Sequence, residues 1–278
     1  MPKDSAVSAA LTKSSWLRRI LVGAVLGVAV FAAIFSYRQV IAVITAAWVV
    51  LATFEFIQLL GRAEIRLSRW FLPILNVMIV AAAYFGWLPG FLVAPIAVVL
   101  LAAVAMRETK PRVPVYGAFC LIYLGFFPAH LVLLKNLAVS RNWSPWLVFF
   151  PLALTWLNDT AGLVFGKLIG RHKLSPTISP NKTIEGYVAG LVFSAALSAV
   201  YLHFLRPFSA RPIWWLAVVG VGLGTIAQAG DLFESMFKRA VGVKDTSSAL
   251  ADHGGFLDRV DSLLFAIPAF YYLVLYLN

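Results

Sequence analysis

Nine stretches of the chain are almost wholly apolar, at about 20–37, 39–61, 71–88, 90–106, 114–134, 145–168, 186–205, 213–231 and 260–277, and each is bounded by charge, proline or glycine. A helix needs about 20 mainly apolar residues to cross roughly 30 Å of hydrocarbon, and all nine come close to that length. Backbone N–H and C=O groups cannot go unpaired in lipid, so the stretches are read as helices and not as strands. The pattern predicts an all-α, polytopic integral membrane protein with about nine transmembrane helices. The first stretch follows Lys13, Arg18 and Arg19, as a signal peptide's apolar segment follows its basic start. Its length and the eight stretches after it predict a retained helix instead.

The polar residues between the stretches give an orientation. With the N-terminus in the cytoplasm, the tail and the segments near 62–69, 107–112, 167–182 and 238–259 face inward and carry 18 of the 23 Lys and Arg residues. Arg38, Lys135, Arg141, Arg206 and Arg211 are left outside. That bias agrees with the positive-inside rule. The formal net charge of +11 is thereby read as topology and attraction to anionic head groups, and nucleic acid is excluded as a partner. Composition agrees, at 61% hydrophobic and 13% charged residues, where a soluble domain carries about a quarter charged. One cysteine, Cys120, allows neither an intrachain disulfide nor a cysteine-based metal site.

Acidic residues divide the chain further. Residues 1–140 hold four of them and 159–261 hold eight. The expected organisation is a cytoplasmic tail over 1–18, a transmembrane scaffold over 19–140 and a transmembrane catalytic region over 141–278. Asp231, Glu234, Ser235 and Lys238 fall at i, i+3, i+4 and i+7, on one helix face, and Asp258 and Asp261 are i and i+3 at the start of the last stretch. Carboxylates on one face, opposite a third from a neighbouring loop, suit a hard, oxygen-ligated cation, Mg²⁺ or Mn²⁺. His253-Gly254-Gly255 precedes Asp258, and paired glycines let backbone N–H groups approach a phosphate.

A second constellation is Ile178-Ser-Pro-Asn-Lys-Thr-Ile-Glu-Gly186, in a loop, where Lys182 and Thr183 are phosphate donors and Thr183 has the alternative role of helix cap. Asp159, inside the sixth stretch, calls for a cation or a metal-bound water as partner, with a helix-packing contact through Asn158 or Thr160 as the alternative. Glu55 admits either a functional or a structural role. Gly162, Gly166 and Gly170, and likewise Gly220 and Gly224, recur every four residues and predict close helix packing. His130 and His203 are isolated and read as packing residues.

Ser235-x-x-Lys238-Arg239, Lys244-Asp245 and His253-Gly-Gly-x-Leu-Asp-Arg-x-Asp261 together resemble the signature of the CDP-diacylglycerol synthase (phosphatidate cytidylyltransferase) family. The 179–186 run and the Asp-Thr of the sixth stretch resemble two further motifs of that family, in order, and the match covers roughly 115–265. Two departures stand out: Ala251-Asp252 replaces a Pro-Gly, and Leu163 replaces an aromatic. The resemblance implies Mg²⁺-dependent transfer of a cytidylyl group from CTP to phosphatidic acid for phospholipid biosynthesis, with a second cation left open. It implies Asp231, Lys244, Asp245, Asp258 and Arg259 as catalytic residues. Substrate binding would fall to Ser179, Asn181, Lys182, Thr183, Ser235, Lys238, Arg239, His253, Gly254 and Gly255. Asp231, Asp245, Asp258 and Asp261 would hold metal, with Asp159 a further candidate. CTP, phosphatidic acid and membrane lipids are the implied partners, and a homodimer is the implied assembly. The expected location is a bacterial inner membrane with the site facing the cytoplasm. Another CTP-using lipid enzyme and a transporter with Asp159 and Glu55 as ion ligands are the competing readings.

Overall fold

The computed structural model describes residues 27–87, 92–106, 108, 111–243, 246–247 and 255–277. After a helical segment at 27–35 come eight helices, Arg38–Gly61 (α1), Phe71–Phe85 (α2), Val93–Ala105 (α3), Arg112–Ser140 (α4), Trp146–Leu168 (α5), Ile184–His203 (α6), Ile213–Ala240 (α7) and Asp261–Tyr276 (α8). Each overlaps one of the apolar stretches. Among the described residues, α1, α4, α5, α6 and α7 are long and apolar enough to cross a membrane, while α2, α3 and α8 are shorter apolar helices. The protein is therefore a mostly helical, polytopic membrane protein.

Hydropathy misses two features. The expected loop before α6 is a two-stranded antiparallel hairpin, Lys173–Ser175 (β1) and Ser179–Thr183 (β2), with Lys173 opposite Thr183 and Ser175 opposite Ser179. These strands are short and polar, so they leave no apolar trace, and the all-α expectation is corrected to helices plus this hairpin. The second is the length of α7, which passes the predicted end at 231 and runs to Ala240. Its last turns carry Glu234, Ser235 and Lys238 in helical geometry, as the spacing predicted.

Small and polar residues set how the helices meet. In α4 the turn Leu121–Phe126 is a π-helical segment. There Gly125 faces Asn76 of α2, and a Cβ on it would collide with Asn76 Oδ1 and approach Ile79 Cδ1 to 2.9 Å. Asn76 is fully buried and donates to Thr53 Oγ1 of α1 at 2.9 Å, tying three helices together. Gly166 of α5 lies against Thr183 and Gly186 as expected, whereas Gly170 falls just past the end of α5 and has no room for a Cβ beside Thr183 of β2. Gly220 and Gly224 of α7 pack on Ser194 of α6 in the same way. Lys135, expected in an outside loop, is instead buried within α4, where its ammonium donates to Ile34 O at 2.6 Å. A cation there satisfies a carbonyl at the end of the 27–35 segment.

The apolar interior forms two clusters. One joins α1, α2 and α4, with Leu257 and Leu264 from the chain's end. The other joins Ile34 and Ile41 to α4, α5, α7 and α8. Packing thus crosses residue 140 in both directions, and α8 takes part in both clusters.

Gly125→Val is expected to destabilise the protein by about 1–3 kcal/mol through overpacking, read as a lower thermal midpoint in detergent. Gly222→Val is the control and should leave the midpoint unchanged, because a Cβ there meets nothing within 4 Å.

Candidate active site

The last turns of α7 begin the site. Lys238 is buried, and its ammonium lies 3.2 Å from Glu234 Oε1 and 2.8 Å from Asp258 Oδ1. Asp258 sits in a short 3₁₀ turn, Leu257–Arg259, just before α8. Its second oxygen accepts from Gly255 N at 2.7 Å, Thr246 Oγ1 at 2.9 Å and Thr246 N at 3.0 Å. Burial pushes the Asp258 carboxyl up, but the Lys238 ammonium and the backbone N–H groups of Gly255 and Thr246 outweigh it and hold the carboxyl below the usual carboxylate range.

Glu55 grips the same loop from α1. It is 4% exposed. Its carboxylate accepts from Phe256 N and Leu257 N, both at 2.9 Å, from Ser247 Oγ at 2.5 Å and from Thr246 Oγ1 at 3.4 Å. The structural alternative for Glu55 is the one realised. Gly255 lies between the two carboxylate systems, and a Cβ on it would strike Thr246 Oγ1 and crowd Glu55 Oε2 at 2.5 Å. Its N–H, expected to meet a phosphate, is given to Asp258 instead.

Beyond this knot opens a polar cavity of about 660 Å³, bordered by α5, α6, α7, the hairpin and the start of α8. Asp159, Asp231, Asp258 and Asp261 line it, together with Lys167, Lys173 and Lys182. Lys182 pairs with Asp231 at 2.6 Å. Ser262 links two more acids, its hydroxyl 3.4 Å from Asp159 Oδ2 and its backbone N–H 2.6 Å from Asp261 Oδ1. In the wall itself, Gln228 donates to Asn158 Oδ1 at 2.7 Å and Asn158 donates to Ser194 Oγ at 2.9 Å. These buried amides bridge α5, α6 and α7 next to Asp159 and one turn before Asp231.

The expected site residues fall into four groups. Asp159, Asn181, Lys182, Thr183, Asp231, Asp258 and Asp261 meet at the cavity. Thr183 also caps α6, its hydroxyl accepting from Gly186 N at 3.1 Å. Ser235, Lys238, Arg239 and Gly255 support the wall: Ser235 Oγ donates to Asp231 Oδ1 at 3.4 Å, and Arg239 Nε donates to Ile178 O at 3.1 Å, which fastens the hairpin to α7. Ser179 and Arg259 stand apart, Ser179 paired with Ser175 at the hairpin's turn and Arg259 on the opposite side of the 3₁₀ turn from the cavity. Lys244, Asp245, His253 and Gly254 lie outside the described residues, as do Ala251 and Asp252. Sequence reasoning missed Lys167 and Lys173, which it counted only toward topology, and the amide pair Asn158–Gln228.

Among the described residues no three His, Cys, Asp or Glu side chains come together as a preformed metal cluster. Asp258 already has four donors on its carboxylate, so of the expected ligands it is the poorest fit. Asp159, Asp231 and Asp261 fit better. They come from three helices, border one cavity and interact electrostatically with one another, with Lys182 as the nearby cation. An all-oxygen set with excess negative charge suits a hard divalent ion.

The model of the Cytidylyltransferase family matches residues 17–277. The chain belongs to this family. Curated relatives include the phosphatidate cytidylyltransferases of Staphylococcus saprophyticus and Staphylococcus haemolyticus, 40% and 41% identical over 152 residues, which is 55% of this chain and 56% of each relative. That of Staphylococcus aureus strain COL is 40% identical over the same length. The chain thus spans a little over half the length of the curated relatives it matches.

Asp258→Asn is expected to destabilise the protein by about 1–3 kcal/mol, because Lys238 loses one of its two ion-pair partners and buried donors lose a charged acceptor. A depressed carboxyl pKa contributes stability above its unfolded value of about 3.9 and loses it as pH falls through the lower folded value. Thermal midpoints should therefore show a constant gap between the two proteins from about pH 8 to 5 and a shrinking one below about pH 4.

Proposed function

We propose that the protein transfers the cytidylyl group of CTP to phosphatidic acid, forming CDP-diacylglycerol and releasing pyrophosphate. The observation that carries this reading is the cavity that Lys167, Lys173 and Lys182 line together with Asp159, Asp231 and Asp261, where the hairpin meets apolar helices. The names of the staphylococcal relatives support the choice of substrates. Nine spans with the N-terminus in the cytoplasm would put this cavity where CTP arrives and leave the acyl chains in lipid. The positive-inside bias supports that topology.

Both reactants are anions, so the reaction needs charge neutralisation and alignment more than a covalent nucleophile. A phosphomonoester's second pKa is about 6, so the lipid phosphate oxygen is already ionised near neutral pH and needs no general base. That oxygen attacks the α-phosphorus of CTP as the bond from the α-phosphorus to the bridging oxygen breaks, and pyrophosphate leaves. Lys182 is the lysine best placed to exchange its carboxylate partner for a phosphate, since it already reaches the cavity through Asp231. Lys167 and Lys173 extend the positive wall. Lys244, Asp245, His253 and Gly254 keep the roles that the motif assigns them. Asp159, Asp231 and Asp261 would hold Mg²⁺, which would neutralise phosphate charge and steady the leaving group. Lys238, Glu55 and Asp258 act by holding the wall in place.

Purified protein in detergent with labelled CTP, Mg²⁺ and phosphatidic acid should give CDP-diacylglycerol and pyrophosphate in equal amounts. Lys182→Met and Asp231→Asn should each lower kcat/KM by roughly 100-fold or more. Undiminished product in EDTA would sink the metal assignment. A phosphorylated lipid with CDP as co-product would replace this reading with a CTP-dependent lipid kinase.

A further inference from the structure

Besides the polar cavity the protein has an apolar groove of about 480 Å³, within the range of small-molecule sites. It is walled by the 27–35 segment, α1, α4, α5 and α8. Among the described residues its one charged wall residue is Arg259, and Thr45 and the indoles of Trp48 and Trp156 are its other polar side chains. Trp48 donates its indole N–H to Phe256 O at 3.3 Å, so the α1 wall is pinned to the 3₁₀ turn.

Two features give the groove a direction. Val260, Leu263, Leu264 and Ile267 line it in succession, so it follows α8 for about 10 Å from the 3₁₀ turn into the apolar part of the bundle. Ile41, Ile44, Thr45 and Trp48 line it with the same spacing on α1. Its charged end is the turn that also borders the polar cavity. Asp258 is on the cavity side and Arg259 on the groove side, one residue apart. A narrow apolar channel with a guanidinium at one end, beside a phosphate-handling cavity, matches an alkyl chain bearing a phosphate head group.

We infer that this groove holds one acyl chain of the phosphate-bearing lipid substrate, with the lipid phosphate beside Arg259. The inference rests on the cytidylyl-transfer reading for the identity of the lipid, but its geometry is independent of that reading. In this arrangement the acyl chain lies along α1 and α8 while the phosphate sits at the edge of the polar cavity. The 3₁₀ turn then separates the acyl chain, and not the phosphate, from the nucleotide.

The test uses the full chain in detergent micelles and phosphatidic acid with a photoreactive diazirine at mid-chain. Irradiation should label groove residues of α1 and α8, and excess phosphatidic acid should remove the label where phosphatidylcholine does not. Ile44→Trp, which fills the groove, should abolish that label and raise the KM for long-chain phosphatidic acid about ten-fold, the weight of two buried methylene groups, with the KM for CTP unchanged. Val43→Trp, on the 68% exposed neighbouring position, should change neither. Leu131→Trp on α4 repeats the test should Ile44→Trp fail to fold. Label lost equally to phosphatidylcholine, label outside the groove, or an unchanged label in a folded groove-filling variant overturns the inference. Groove labelling without CTP turnover would leave the groove standing and remove the cytidylyl-transfer reading; turnover with label elsewhere would do the reverse.

Discussion

A buried carboxylate on α1 holds the end of the chain in position. Glu55 accepts hydrogen bonds from Thr246, Ser247, Phe256 and Leu257, residues 191 to 202 places further along. A buried carboxylate is tolerated only when its oxygens are fully engaged, and these donors engage them. The segment they fix carries Gly255 and the turn with Asp258, which in turn fixes Lys238 at the end of α7. The cavity wall on that side, and the groove wall on the other, depend on this chain of contacts.

Charge in the site follows the same economy. Lysines and carboxylates meet where the hairpin joins the helices, and partial burial there strengthens attraction and repulsion alike. Lys238 spends its charge inside the wall on Glu234 and Asp258, whereas Lys182 pairs with Asp231 at the cavity surface. The first arrangement is the more enclosed, since Glu234 is buried and Asp258 is held by four donors. The second can open, because both members are reached from the cavity.

What could be read from the amino-acid order alone follows from the range of each interaction. Helices such as α1, α5 and α7 announce themselves through local hydropathy, and the face bearing Asp231, Ser235 and Lys238 through helical spacing. The glycines of α5 and α7 were legible for the same reason, since packing at four-residue intervals is a local pattern. The hairpin was hidden because its polar strands pair with each other and not with an apolar layer. Glu55 was visible as an acid in a span, but its partners arise from a fold that brings distant segments together. Asp258 shows the limit most clearly: its motif marked it as important, while only the donors around it show that it holds the loop. Lys167 and Lys173 read in the sequence only as loop charge, because their place on the cavity wall depends on the hairpin folding back on α5.

The distance in sequence between Glu55 and its donors has a consequence for how the protein is made. During synthesis α1 enters the membrane while the segment from Thr246 to Leu257 is still untranslated. For that interval the carboxylate has none of its final partners, and the nascent helix must keep it at the water boundary, protonate it or lend it a temporary donor. Only when the last turn before α8 is made does the Glu55 carboxylate gain these partners. Assembly of this bundle closes at its C-terminal end, and a chain truncated before residue 246 would leave an early helix with an acid it cannot bury.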